Sequence, residues 1–149
     1  MQPLAFPAYD FRFKSNENKT SIFDPIRKKF VHFTPEEWVR QHCIRFLLED
    51  RKIPASLMNV EKQLRIHGIQ KRYDIVVYRP NGAIALLVEC KAPTIALNQD
   101  TFDQIARYNL ALNASYLMLT NGLQHIYCTL DYQEETYHFL REIPQYTLL

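Results

Sequence analysis

Three residues have types and a spacing that chemistry can use: Asp74, Glu89 and Lys91. Glu89-Cys90-Lys91 closes the apolar run Ala83 to Val88, which reads as a strand. Residues i and i+2 of a strand share a face. Glu89 and Lys91 are therefore expected to point one way, and Cys90 the other way with Ile84, Leu86 and Val88. Upstream, Tyr73 to Tyr78 reads as a second strand, and Arg79-Pro80-Asn81-Gly82 as the turn between them. If Asn81-Gly82 is a two-residue loop, Asp74 lies opposite Glu89. If the loop is residues 79–82, the two are diagonal neighbours on one face. Only an odd loop length or a bulge breaks this argument.

Like charges placed across a strand pair are destabilising unless something positive sits between them. Lys91 is one candidate and a divalent cation a better one. Mg²⁺ takes one or two carboxylates and completes its shell with water and phosphate oxygens. Such an ion polarises a phosphodiester and lowers the pKa of a water, while a lysine beside it orients that water or stabilises developing charge. Asp74 and Glu89 are then the expected metal ligands, with Mn²⁺ as a substitute because it favours the same donors. The bland alternative is a strand end emerging into solvent, with a Glu–Lys surface pair.

Other residues belong near this group. Gln104 and Tyr108 are four apart on a predicted helix and share a face, flanking Arg107. Glu37 and Glu61 are both candidates for an additional acid. The sequence has three glycines, Gly68, Gly82 and Gly122, so it contains neither a Walker A loop nor a G-x-G-x-x-G turn, and no G-x-S-x-G elbow. The five histidines show no H-E-x-x-H spacing.

The elements that must position these residues follow from pattern. Residues 1–33 read as an N-terminal arm, irregular, with one or two short strands. Thr34-Pro35-Glu36-Glu37 reads as a capping box with proline at N1. It opens a helix from about Pro35 to about Asp50, with Val39, Cys43, Phe46 and Leu47 on one face. Strands follow at 56–66, 73–78 and 83–91, then a helix at 98–113, strands at 116–120 and 123–130, and an edge at 137–140. The expected fold is α/β: helix, three strands, helix, strands, with a mixed central sheet flanked by helices and residues 34–149 forming the domain proper.

Composition sets the bounds. The 149 residues are 47% hydrophobic and 13% aromatic, enough for one core. Cys43, Cys90 and Cys128 fit neither a disulfide framework nor a zinc spacing. Met1 to Lys14 lacks the order of a signal peptide, and the longest apolar run is too short for a bilayer. A cytoplasmic protein without membrane contact is expected. Residues 1–72 hold 14 Lys and Arg against 8 Asp and Glu, whereas residues 73–149 hold 4 against 8. A basic first half suits phosphate contacts, for which Arg65, Lys71, Arg72 and Arg107 are the candidates.

The element order with Asp74 and then Glu89-x-Lys91 resembles the PD-(D/E)xK nuclease superfamily, and Gln104-x-x-x-Tyr108 is similar to the helix motif of its RecB-like branch. The closer resemblance is to the N-terminal domain of type I restriction enzyme R subunits, in a short stand-alone form. It rests on Asp24-Pro25-Ile26-Arg27-Lys28-Lys29, Thr34 to Gln41, Arg72 to Tyr78, Leu87 to Pro93, Asp103 to Asn109 and Leu119-Thr120-Asn121-Gly122. The resemblance implies a restriction-endonuclease-like core and a Mg²⁺-dependent DNA endonuclease serving defence or repair. Asp74 and Glu89 match the metal acids, Lys91 the catalytic lysine, and Gln104 and Tyr108 the supporting helix. Glu37 or Glu61 matches the additional acid of some members. The translocase of the large enzymes has no counterpart in this sequence, so a partner protein would supply translocation or specificity. A homodimer is expected from need, because one site cuts one strand. The alternative is a catalytically silent nucleic-acid-binding or assembly module of the same fold. A third reading, an interaction domain, draws on Phe6, Tyr9, Phe11, Phe13 and Phe23.

Overall fold

In the computed structural model the described residues are Met1–Leu149, the side chain of Leu148 excepted. Short connections build most of the sheet. Strand β4 (Met58–Ile66) turns at His67-Gly68 into β5 (Ile69–Tyr78). Both turn residues have left-handed backbone, with φ of 49° and 79°, as a two-residue hairpin loop requires. Strand β6 (Ile84–Cys90) pairs antiparallel with β5. A parallel neighbour needs a crossover, and helix α2 (Gln99–Leu112) supplies it, so that β7 (Tyr116–Thr120) runs parallel to β6. Strands β8 (His125–Asp131) and β9 (Thr136–Leu140) complete the meander. The result is a six-stranded mixed sheet in the order β4-β5-β6-β7-β8-β9, an α/β architecture of the expected element order.

Each sheet face has its own helix. Helix α1 (Pro35–Arg45) packs Val39, Cys43 and Ile44 against Ile75, Val77, Leu86, Val88 and Met118. Helix α2 packs Phe102, Ile105 and Ala106 against Val76, Leu87, Leu117 and Leu119. Thr34 caps α1 by accepting the Glu37 N–H, but the box is only half formed. The Glu37 carboxylate turns away from the cap toward Arg27 and Arg40. A single π-helical turn, Phe46–Asp50, extends α1. Asn98 caps α2, and Asn113 ends it in the left-handed conformation, φ 58°.

Three differences from the sequence reading stand out. The first 33 residues hold three strands, β1 (Phe13–Asn16), β2 (Lys19–Asp24) and β3 (Lys29–His32), in an antiparallel sheet of their own. The β1–β2 turn is Glu17-Asn18, both at positive φ, a pair without the Asn-Gly signature. The β5–β6 loop is odd: Arg79 N–H bonds Ala83 O and Gly82 N–H bonds Arg79 O, leaving Pro80-Asn81-Gly82 between the ends. A register shift between Val77 and Tyr78 then restores the pairing Val77–Leu86, Val76–Leu87 and Ile75–Val88. Ile84 lies before that shift, so it packs on the α2 side, not with Leu86 and Val88.

The N-terminal residues are tied to the site end of the sheet. Ala5 N–H donates to Gly122 O at 2.7 Å, and Trp38 Nε1 donates to Gln2 O at 2.7 Å. Gly122 has φ of +86°, and a Cβ there would lie 2.9 Å from Leu4 and 3.0 Å from Val39. Gly122→Ala is therefore expected to destabilise the chain by about 1–3 kcal/mol in denaturant unfolding. It should also make residues 1–12 an early target of limited proteolysis.

Candidate metal and active site

The two acids are brought together where the β5–β6 ladder ends. The last recorded pair is Ile75–Val88, and Asp74 and Glu89 lie one residue beyond it. Both are buried, with 6% and 7% of their surface exposed. Register alone does not align them. Tyr73 and Val76 pack on the α2 side, and Ile75 and Val77 on the α1 side, so alternation breaks at Asp74. Its Oδ2 accepts the Cys90 N–H at 2.8 Å, taking the place of a ladder bond. Its Oδ1 leans toward α1 and accepts from Arg40 Nη2 at 2.7 Å. Across the sheet the partner strand is irregular too: Glu61 sits in mid-strand at φ 58°. A non-glycine residue there costs about 1–2 kcal/mol, and strained backbone of this kind clusters at functional sites.

Glu89 follows the even alternation of β6 and lies with Leu87 on the α2 side. Lys71 Nζ is 3.6 Å from its Oε1, beyond hydrogen-bonding reach, and that oxygen is buried without a partner. Burial first, and then the charge of Asp74, push the Glu89 carboxyl up to about 8. The Tyr73 hydroxyl is likewise buried and unpartnered, raised by burial and then by Glu89. Lys71 lies over both the Tyr73 and Tyr108 rings, at 4.5 and 5.1 Å.

Lys91 is held by its backbone. Its N–H donates to Thr120 O at 2.8 Å, extending the β6–β7 ladder by one residue. Asn121 fixes the loop that follows, through Nδ2 to Ile95 O at 2.8 Å. Among the described residues the Lys91 amine makes no ion pair within 4 Å. Its charge is nonetheless felt by Glu89 and by Glu36, both of whose carboxyls it pulls down against burial and Asp74.

Sequence reasoning missed the hub of the site. Arg40 binds Glu37 Oε1 at 2.6 Å, Asp74 Oδ1 at 2.7 Å, Glu61 Oε1 at 2.8 Å and Glu36 at 3.4 Å. Both additional acids thus converge on the site, held by one guanidinium. Glu37 is buried and Glu61 half-buried. Behind Glu37, Arg27 bridges to fully buried Asp24, which also accepts from Gln41. The signal was present as Glu36-Glu37-x-x-Arg40-Gln41, since positions i, i+3 and i+4 are neighbours on a helix.

Gln104 lies on α2, on the Glu89 side of the sheet. With Arg107 and Tyr108 it lines a cleft of about 330 Å³ against the β4–β5 turn. Among the described residues its side-chain amide makes no hydrogen bond. Arg65 and Arg72 lie on the opposite face of β4–β5 from Lys71, and Arg72 meets Glu61 at 3.2 Å.

These positions can be set against known proteins. The sequence profile of the Type I restriction enzyme R protein N-terminus matches residues 35–144. The chain belongs to that family. No curated protein matches it. The match spans every strand of the main sheet and both helices, and it leaves out Asp24 to Lys29 and Thr34 among the residues that carried the resemblance.

The buried acids fit a divalent cation. A carboxylate has about four acceptor positions; Asp74 and Glu89 retain unused ones, and the unpartnered Glu89 Oε1 has the Lys71 amine near it, at 3.6 Å. No three His, Cys, Asp or Glu side chains converge as a complete ligand set among the described residues. An ion here would have two protein carboxylates and draw its other ligands from water, backbone and substrate.

The raised Glu89 carboxyl sets a pH dependence. A group whose folded value exceeds its unfolded one, near 4.5, costs stability as it ionises. Without metal, stability is expected to fall as pH rises from about 4.5 to about 8, and Glu89→Gln should flatten that slope in thermal melts with EDTA; an unchanged slope would refute the assignment. Arg40→Met, which leaves Glu37 and Asp74 buried without their cation, is expected to lose about 3–5 kcal/mol at neutral pH by denaturant titration.

Proposed function

We propose that this chain is a divalent-metal-dependent DNA endonuclease domain with a restriction-endonuclease-like core of the PD-(D/E)xK type. The observation that carries the reading is the pair of buried carboxylates, Asp74 and Glu89, at the split end of β5 and β6, with the amine of Lys91 two residues on and unpaired. A purely structural pair would be expected to neutralise itself, yet Glu89 keeps an unpartnered oxygen.

Asp74 and Glu89 would hold Mg²⁺, with Mn²⁺ able to replace it. When bound, the ion supplies Lewis-acid polarisation of a phosphodiester and a lowered pKa for water. The chain's own groups do the rest. Arg40 fixes the Asp74 carboxylate in one orientation, and the Cys90 N–H fixes its other oxygen. Lys91 Nζ orients the attacking water or donates a hydrogen bond to the phosphoryl oxygens as charge builds on them. Lys71 limits the charge at Glu89 and, with Arg107 and Tyr108, gives the α2 side a cationic and aromatic lining for the substrate strand. Gln104 supports that side. Affinity from Arg65, Lys71, Arg72 and Arg107 would fall with salt.

The family points to a restriction setting in the cytoplasm, to DNA as the substrate and to a partner supplying recognition or translocation. A second copy would let two sites cut two strands. One observation favours a different reading. Arg40 already sits 2.7 Å from Asp74, so a guanidinium neutralises one acid, as a silent nucleic-acid-binding module would require.

Supercoiled plasmid separates the two. With Mg²⁺ or Mn²⁺ the wild type is expected to nick or linearise it, and EDTA, Asp74→Ala and Lys91→Ala to abolish cutting by 100-fold or more, on the order of what general acid–base and electrostatic groups contribute. Intact plasmid together with no Mn²⁺ uptake by calorimetry would establish the silent module.

A further inference from the structure

The β4–β5 hairpin outruns its neighbour. Strand β6 pairs with β5 from Tyr78 back to Ile75, whereas β4 and β5 stay paired to Ile66–Ile69. Residues Lys62–Ile66 and Ile69–Tyr73 are therefore a two-stranded ribbon, roughly 16 Å long at strand rise, standing beyond the third strand. Its two faces differ sharply. Leu64, Ile66 and Tyr73 pack toward α2. The other face carries Gln63 opposite Arg72 and Arg65 opposite Gln70, all four exposed. No apolar side chain interrupts them. Their alternation continues at the ribbon's base into Glu61, and through Arg40 to Asp74.

We propose that this face of the ribbon enters the major groove of duplex DNA and reads base edges, giving the domain a short sequence preference of its own. The proposal rests on the endonuclease reading for its choice of duplex DNA, and it adds a recognition surface to it. Shape supports it: two strands about 5 Å apart fit a groove about 12 Å wide, which admits a β-ribbon. The tip is bare, since nothing lies within 4 Å of where a Gly68 Cβ would be. Chemistry supports it more strongly. A face built only for phosphate needs donors and positive charge. Gln63 and Gln70 add an acceptor beside each donor, which a phosphate cannot use and which matches the N6 and N7 edge of adenine. Arg65 and Arg72 match the O6 and N7 edge of guanine. The four form a grid in which each arginine faces a glutamine across the ladder. The Arg72–Glu61 pair does not occupy this face permanently, because both groups are solvent-accessible and such pairs are weak.

The test is selection without cleavage. The full chain is incubated in EDTA with a pool of randomised duplexes, and bound DNA is sequenced, alongside the same pool as single strands. The wild type is expected to bind duplex and enrich one base at two or more neighbouring positions, on the order of tenfold. Gln63→Ala with Gln70→Ala should flatten that enrichment while total affinity falls less than about threefold, because the phosphate contribution persists. Arg65→Ala should lower affinity and remove one further enriched position. The proposal is overturned by absence of binding, by binding without enrichment, by an enrichment that survives the glutamine variants, or by preference for single strands. Cutting without enrichment would sink the ribbon proposal alone, and enrichment without cutting would sink the nuclease reading alone.

Discussion

The structure turns on the Arg40 guanidinium. It belongs to α1, yet two of its four partners, Asp74 and Glu61, come from adjacent strands of the sheet. Burial opposes its charge, but Asp74 and Glu37 raise its pKa beyond the ordinary arginine range. A lysine could not substitute, because one planar fork must meet several carboxylates at fixed angles. Buried ion pairs are weak sources of stability compared with apolar packing. The reason to keep one here is positional: it locks the orientation of Asp74 and brings α1 against the open end of the sheet.

The layers around that contact each do a separate task. The parallel β6–β7 pair lets the Thr120 carbonyl hold the Lys91 backbone past the end of the strand. The α2 crossover that makes this pair parallel also delivers Tyr108 to Lys71, and through it to Glu89. The small N-terminal sheet closes the far side of α1, through Asp24 and Arg27. Its ties explain why Glu37 to Ile44 are buried without a break, although α1 touches the main sheet with only one face.

How much of this was legible depended on whether a local rule governed it. Helix limits and strand order followed from periodicity and capping, and the structure agrees. The meeting of Asp74 with Glu89 was inferred from a regular hairpin, and it arises from an irregular one. Odd loop and register shift offset each other, a cancellation no pairwise rule detects. The three strands before residue 33 were obscured because Glu17-Asn18 and Lys28 adopt positive φ without glycine. Arg40 was overlooked because a charged residue in an amphipathic helix reads as surface, and only its packing against Glu61 and Asp74 of the main sheet makes it interior. The face on which each ribbon arginine lies also depends on the irregular backbone at Glu61 and the broken alternation at Asp74, so residues grouped by charge in the sequence are divided by the fold.

The offset hairpin has an evolutionary corollary. Parity is the conserved quantity of a strand pair, and here it is maintained by two irregularities, one in the Pro80–Gly82 loop and one at Val77–Tyr78. Gain or loss of a single residue in that loop would rotate β6 by half a turn of its pleat and exchange the sides of Glu89 and Cys90. Changes of two residues leave the phase intact. Length variation among descendants of this sequence should therefore accumulate there in even steps, and the His67-Gly68 turn of the neighbouring β4–β5 hairpin, which sets Glu61 across from Asp74, is bound by the same arithmetic.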